Sequence, residues 1–204
     1  MSKKQTTIIT KPAADRVNSV LMAGVGGQGV LRASDILCEA LMASGRDVKK
    51  SEVHGMAQRG GCVTSHVRYG RKVYSPIEKK GNVDILMAFE NLESLRYLDY
   101  LKPKGRVIVN DIKLYPPAVN LGDMPYPPNV IDLVKERFAD VEVVNARDMA
   151  RAAGNLKTEN TALLGVLSRW LDMDEALWEA ILQKAFPPKV LDANLKAFHL
   201  GRGH

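Results

Sequence analysis

SVLMAGVGGQGVLRASDILCEALMASG, residues 19–45, is the stretch on which the reading of this chain turns. Residues 19–23 form a short apolar run that stops at glycines. From Val30 onward Leu31, Ile36, Leu37, Ala40 and Leu41 recur at mostly helical spacing. The stretch predicts strand, tight turn and helix, with Gly45 just beyond the helix end. The turn, GVGGQG, satisfies G-x-G-x-x-G through Gly24, Gly26 and Gly29, and it stands where that pattern has a mechanism, after a strand and opening a helix. Glycines let the backbone bend sharply and approach an anion. The free N–H groups and the dipole at the helix start then favour a phosphate or carboxylate. A turn that packs helix on strand and binds nothing remains the alternative.

Residues 47–53 read as a second strand parallel to the first, which closes a βαβ unit. Glu52 stands at its end, where a dinucleotide site places the acid that holds a ribose hydroxyl, so a stand-alone NAD-linked oxidoreductase stays open. The strand leads into SEVHGMAQRGGCVTSHVRYG, residues 51–70, a polar loop broken by Gly55, Gly60 and Gly61. Ligands of open α/β sheets collect beyond the strands' C-terminal ends, so this loop and the GVGGQG turn are expected side by side around one crevice. The candidate binding set is Gly24, Gly26, Gly27, Gln28, Gly29, Glu52, Arg59, Gly60 and Gly61. Arg59 suits bidentate pairing with phosphate or carboxylate, and Gln58, Ser65 and Arg68 offer further hydrogen bonds. His54 and His66 have no third ligand at metal spacing and no nucleophile motif beside them, so no catalytic or metal role is assigned.

Further on, residues 62–69 and 72–77 alternate with period two around Gly70-Arg71, which predicts a β-hairpin projecting from the sheet. Residues 83–89 form a buried strand, with Asn91 as N-cap of a helix through Tyr100, a turn at 102–105 and another parallel strand at 106–110. Five prolines make 115–129 a loop; a helix at 130–138, a strand at 141–144 and a helix at 147–153 continue the alternation. From Asn160 the pattern is all helical. Stripes through Leu163, Leu164, Leu167, Trp170 and Leu171, and through Leu177, Trp178, Ile181, Leu182 and Phe186, read as core. Pro187-Pro188 separates them from a last helix at 190–198. The expected architecture is α/β: a Rossmann-like open, mostly parallel sheet with flanking helices, a projecting hairpin and a helical C-terminal part. Residues 1–18 read as a polar tail and 19–201 as one domain.

Composition narrows the class. An apolar share of 46% with 25% charged residues suits a globular protein, and no run approaches the roughly 18 apolar residues a membrane span needs. The N-terminus lacks the apolar core of a secretory signal, so the expected compartment is the cytoplasm. The net charge of +6 is spread over clusters, without the aromatic interleaving of single-strand nucleic-acid readers. Neither nucleic acid nor membrane is an expected partner. Cys38 and Cys62, with no CxxC spacing, read as buried thiols.

GVGGQG, then SEVHGMAQRGGCVTSHVRYG, then VYSPI, then VDILMAFE together resemble the gamma-type subunit or domain of 2-oxoacid:ferredoxin oxidoreductases, the pyruvate/ketoisovalerate family. The wording of residues 53–61 is most similar to the small subunits of its indolepyruvate enzymes. The resemblance implies a part in coenzyme A-dependent oxidative decarboxylation of a 2-oxoacid, with electrons passing to ferredoxin. It implies that thiamine diphosphate and iron–sulfur clusters sit in a large partner subunit, with none held tightly by this chain. Coenzyme A binding at a shared site through the two glycine loops, and a homodimer of the isolated chain, are consistent with it. A non-catalytic assembly module, whose glycine loops only shape an interface, stays open beside these readings.

Overall fold

The computed structural model describes residues 16–55, 61–115, 117–123 and 125–204. The opening strand β1 (Asn18–Val25) passes through the glycine turn into α1 (Val30–Ala43), and β2 (Asp47–His54) follows. Gly45 takes φ 83°; its N–H bonds to Met42 O and that of Arg46 to Leu41 O, the paired bonds of a Schellman ending. Next come β3 (Cys62–Gly70), β4 (Val83–Ala88), α2 (Asn91–Arg96) with a 3₁₀ turn at Leu98–Tyr100, and β5 (Leu101–Asn110). The short α3 (Pro117–Asn120), then α4 (Val130–Arg137), β6 (Val141–Val144) and α5 (Ala146–Ala152), complete the alternating part. A helical end follows: α6 (Glu159–Ser168), α7 (Glu175–Ala185) and α8 (Pro188–Arg202).

The sheet runs β2-β3-β1-β4-β5-β6, with β1, β4, β5 and β6 parallel and β3 antiparallel to both its neighbours. This corrects the expected hairpin. Residues 62–69 do form a strand, but it lies inside the sheet, between β1 and β2, and residues 72–77 are not a strand. Period-two alternation reports that a segment has two faces, not which strand it pairs with. β3 pairs along eight residues on each side, and Val63, Val67 and Tyr69 go into the core under α1. Residues 72–77 carry Pro76, which has no N–H for a ladder. Their backbone is held by side chains instead: Asp47 Oδ2 accepts from Val73 N–H at 2.8 Å, and Arg68 donates to Ser75 O and Ile77 O at 2.9 and 3.3 Å. The segment is a strap lying across the sheet.

Three smaller expectations shift as well. The N-cap of α2 is Glu90, whose carboxylate accepts from Glu93 N–H at 2.5 Å, while the Asn91 amide is engaged by Asp111 at 2.9 Å. The turn expected at 102–105 is a bulge within β5, where the pairing jumps from Val83–Leu101 to Ile85–Arg106. The last helix starts at Pro188, since proline fits the first helical position, where an N–H has no partner anyway.

The two faces of the sheet are covered unequally. On the inner face α1 packs on β2 and β3, and α6, which touches both α1 and β5, is buried on every side from Thr161 to Ser168. Gly165 of α6 and Gly201 of α8 let these helices touch: a Cβ on either would overlap a carbonyl oxygen of the other helix, Phe198 O or Ala162 O. Trp178 and Phe198 fill the same layer with no exposed surface. The outer face has a smaller core, built by Leu21, Ala23, Leu86, Leu98, Val107, Val109 and Val134 under α2 and α4.

Candidate functional site

β1 hands its chain to α1 on the inner face, and β4 hands its chain to α2 on the outer face. A crevice between their C-terminal ends follows from that divergence, and open α/β sheets bind ligands there. The GVGGQG turn and the Phe89-Glu90-Asn91 segment form its rims. Phe89 N–H bonds to Ala23 O at 2.8 Å, which holds the rims together at their base.

The residues of the turn divide the work. Gly24 is a packing glycine, since a Cβ there would lie 2.7–2.9 Å from Val30, Phe89 and Gln28. Gly29, the N-cap of α1, is left-handed at φ 77°, and a Cβ on it would press on the Asn160 amide. Gln28 folds inward: its Oε1 accepts from Val25 N–H at 2.7 Å and its Nε2 donates to Phe89 O at 2.8 Å. Its side chain therefore staples the rims rather than facing outward. Gly27, at φ 104°, is exposed with nothing within 4 Å of a Cβ position. The first intrahelical bond of α1 is Ala33 N–H to Gly29 O, so the earlier N–H groups of the first turn have no helical acceptor. No acidic side chain lies in that turn to compete for them. The donor set suits an anion.

The two glycine loops meet. Gly26 N–H donates to Gly61 O at 2.8 Å, and Gly55 N–H to Cys62 O at 3.1 Å closes the base of the second loop. Of the candidate residues, Gly24, Gly26, Gly27, Gln28, Gly29 and Gly61 therefore come together. Arg59 and Gly60, like Gln58, lie outside the described residues. Glu52 does not join the group. With β3 interposed, β2 is two strands from β1, about 10 Å away. There Glu52 pairs with Lys50 at 2.5 Å, and Lys50 also engages Asp35 of α1. That is not the position of a ribose-binding acid.

Other titratable groups have structural roles. His66 lies on the outer face of β3, buried against the Tyr100 ring at 5.6 Å, and burial pushes its pKa down. Among the described residues it joins no cluster of metal-ligating side chains. Cys38 is buried in α1, its thiol pushed up to about 12 by burial. Cys62 is half-buried on the opposite face, bonded to Glu93 and Tyr97 at 3.0 and 2.8 Å, its thiol pushed up to about 11 chiefly by burial. Both stay protonated near neutrality and are poor nucleophiles.

Sequence reasoning missed several residues at the crevice. Asn160 reaches Gly29 from α6, and Asn110 bridges Phe89 O (3.2 Å) and Ala146 N–H (2.9 Å). Glu90, 1% exposed, has its carboxyl held above the usual range by burial, next to Tyr126, whose hydroxyl burial raises to about 12. The signal for Glu90 was present, because it follows a parallel strand's C-terminal end. Asn160 had none, being 131 residues from its partner.

Comparison with known proteins places this geometry. Residues 19–203 match the family model described as pyruvate ferredoxin/flavodoxin oxidoreductase. The indolepyruvate oxidoreductase subunit IorB of Thermococcus kodakarensis is 37% identical over 188 residues, covering 90% of this chain and 93% of that protein. IorB of Archaeoglobus fulgidus is 38% identical, with 90% and 92% covered. Among solved structures, the pyruvate oxidoreductase subunit PORC of Thermotoga maritima shares the fold, with TM-score 0.71 at 24% identity over 93% of this chain and 97% of that one. The 2-oxoglutarate:ferredoxin oxidoreductase of Magnetococcus marinus, solved with 2-oxoglutarate, coenzyme A and succinyl-CoA bound, has the same fold (TM-score 0.73, 20% identity) within a longer chain, of which this one covers 31%. The fold, the paired glycine loops and the near full-length match to IorB lead to one assignment: the chain belongs to the pyruvate ferredoxin/flavodoxin oxidoreductase family.

Proposed function

We propose that this chain is the small subunit of an indolepyruvate-type 2-oxoacid:ferredoxin oxidoreductase. Such an enzyme converts a 2-oxoacid and coenzyme A into acyl-CoA and carbon dioxide, and passes two electrons to ferredoxin. The observation that carries the reading is the Gly26 N–H to Gly61 O bond, which joins both glycine loops at the strand ends of a chain 37% identical to an IorB subunit. The chain's own residues do not fit an iron–sulfur cluster, since its two cysteines lie on opposite faces of the sheet. We therefore assign the clusters and thiamine diphosphate to the large partner subunit, where they would supply the decarboxylation and electron-transfer chemistry. Two unpaired thiols suit a reducing compartment, and the cytoplasm is the proposed one.

Coenzyme A fits the glycine turn better than a dinucleotide does. The outward Gly27 and the first-turn N–H groups of α1 form a cradle for a phosphate, and Gln28 keeps the turn open by bonding inward. In this proposal Arg59, which the sequence places on the second loop, pairs with the same phosphate. The stand-alone NAD-linked reading loses its acid, because Glu52 is engaged by Lys50 two strands away.

Purification of the chain with its large subunit tests the assignment. The expected product is a brown, thiamine-containing complex that reduces ferredoxin with indolepyruvate only when coenzyme A is present. A colourless oligomer that oxidises NADH would overturn it. For the phosphate cradle, coenzyme A titration of the complex is expected to show at least tenfold weaker binding in Arg59→Ala, with assembly intact. Unchanged binding would remove Arg59 from the site.

A further inference from the structure

Among the described residues, α2 reaches the outer face of β3 only at its start, where Glu93 and Tyr97 bond Cys62, and no helix packs on the outer face of β2. α1 covers the inner face of both strands, whereas α2 packs on β1, β4 and β5 and α4 on α2 and β6. The rest of that face is covered by the strap at residues 72–77 and by Tyr100, which packs on His66. The large apolar side chains of this region point away from the protein. Tyr74 is 89% exposed, Ile77 60%, and Val53 60% on the same face of β2, opposite Thr64. A lone exposed apolar residue is ordinary, but Tyr74 and Ile77 stand out together from one held segment, and such a pair marks an interaction surface.

The strap is also built to hold still. Arg68 donates to the carbonyls of Ser75 and Ile77 and pairs with the buried Glu78 at 3.1 Å, while Asp47 holds Val73. Pro76 fixes one more backbone angle. Tyr74 is thus presented from an ordered segment, so little ordering remains to be lost on binding. A tyrosine so held is the kind of residue that anchors interfaces.

We propose that the strap and the outer face of β2 dock the large partner subunit, and that its complementary surface is an apolar hollow rimmed by carboxylates. This rests on the reading of the chain as one subunit of a larger enzyme. The charge argues for an acidic rim. Lys79 and Lys80 are exposed beside the apolar centre, whereas the nearby anions Asp47 and Glu78 are engaged by Lys49, Lys72 and Arg68. The same charge argues against a second copy of this chain. A two-fold dimer sets the same patch on both sides, which would bring the lysine rims together.

The test uses the purified large subunit and the full-length chain, with affinity read by biolayer interferometry at two salt concentrations. Tyr74→Asp and Ile77→Asp are expected to weaken binding at least tenfold, and Lys79→Glu to slow association and flatten its salt dependence. Leu121→Asp is the control, a residue 77% exposed outside this face, and is expected to bind like the wild type. Circular dichroism confirms the fold of each variant. Wild-type affinity in both Tyr74→Asp and Ile77→Asp would overturn the docking surface while leaving the subunit assignment standing. No binding by the wild-type chain itself would overturn the assignment as well. A dimer of the isolated chain that Tyr74→Asp dissolves, with large-subunit binding intact, would give the surface to a second copy and overturn the proposal.

Discussion

The inner and outer faces of the sheet solve opposite problems. On the inner face Val30, Ile36, Leu37, Leu41, Trp178 and Phe198 are sealed under helices that approach closely enough for Gly165 and Gly201 to have no room for a methyl group. On the outer face beside β2 the main cover is an irregular strap pinned by Arg68 and Asp47, with a tyrosine turned to solvent. The first arrangement supplies stability, because apolar burial at dense packing is the main favourable term. The second leaves apolar area uncovered, and its value lies in what it can bind. A chain that keeps one face dry and leaves part of the other open is organised as a part of something larger.

Three measurements sharpen or break that contrast. The largest effect is expected for Gly165→Ala, which forces a methyl group into the Phe198 carbonyl. The urea midpoint should fall by the equivalent of about 3 kcal/mol, and a loss below about 1 kcal/mol would show that α6 and α8 can slide apart. A middling effect is expected from pH. His66 is buried with its pKa lowered, so the unfolded chain takes up its proton first. Its contribution to stability is complete above the ordinary histidine range near ~6.5 and is lost as pH falls through the lower folded value. The melting temperature should drop in that window, less so in His66→Phe; identical profiles would remove His66 as the cause. The smallest effect is expected for Tyr74→Ala, which should change the stability of the isolated chain by no more than about 0.5 kcal/mol. A larger loss in chemical unfolding would mean that the tyrosine belongs to the fold.

Much of the architecture is legible in the sequence where the signal is local. The strand–turn–helix around GVGGQG, the glycine ending of α1, the strands β4, β5 and β6, and the helical end at α6 and α7 all follow from periodicity and caps within a dozen residues. The hairpin failed because strand pairing is not local: β3 chose β1 and β2, and the neighbouring segment found its partners in two side chains. The candidate site divides in the same way. That the glycine loops converge could be read from strand ends, and Gly26 and Gly61 do meet. That Gln28 turns inward could not, because its partner Phe89 is 61 residues away. Glu52 misled because the ribose rule assumes that the second strand lies beside the first.

The placement of β3 also orders the assembly of the molecule. Among the described residues β2 has β3 as its one neighbour, and the two are consecutive antiparallel strands that can pair as a local unit. Docking that unit on β1 closes a loop of about 40 residues, a slower kind of search. Until it docks, the edge of β1 is an open slot. A β2 that filled the slot itself would bring Glu52 beside the glycine turn, the arrangement of a dinucleotide site, and leave β3 outside the sheet. The eight residue pairs on either side of β3 are what make the native order win.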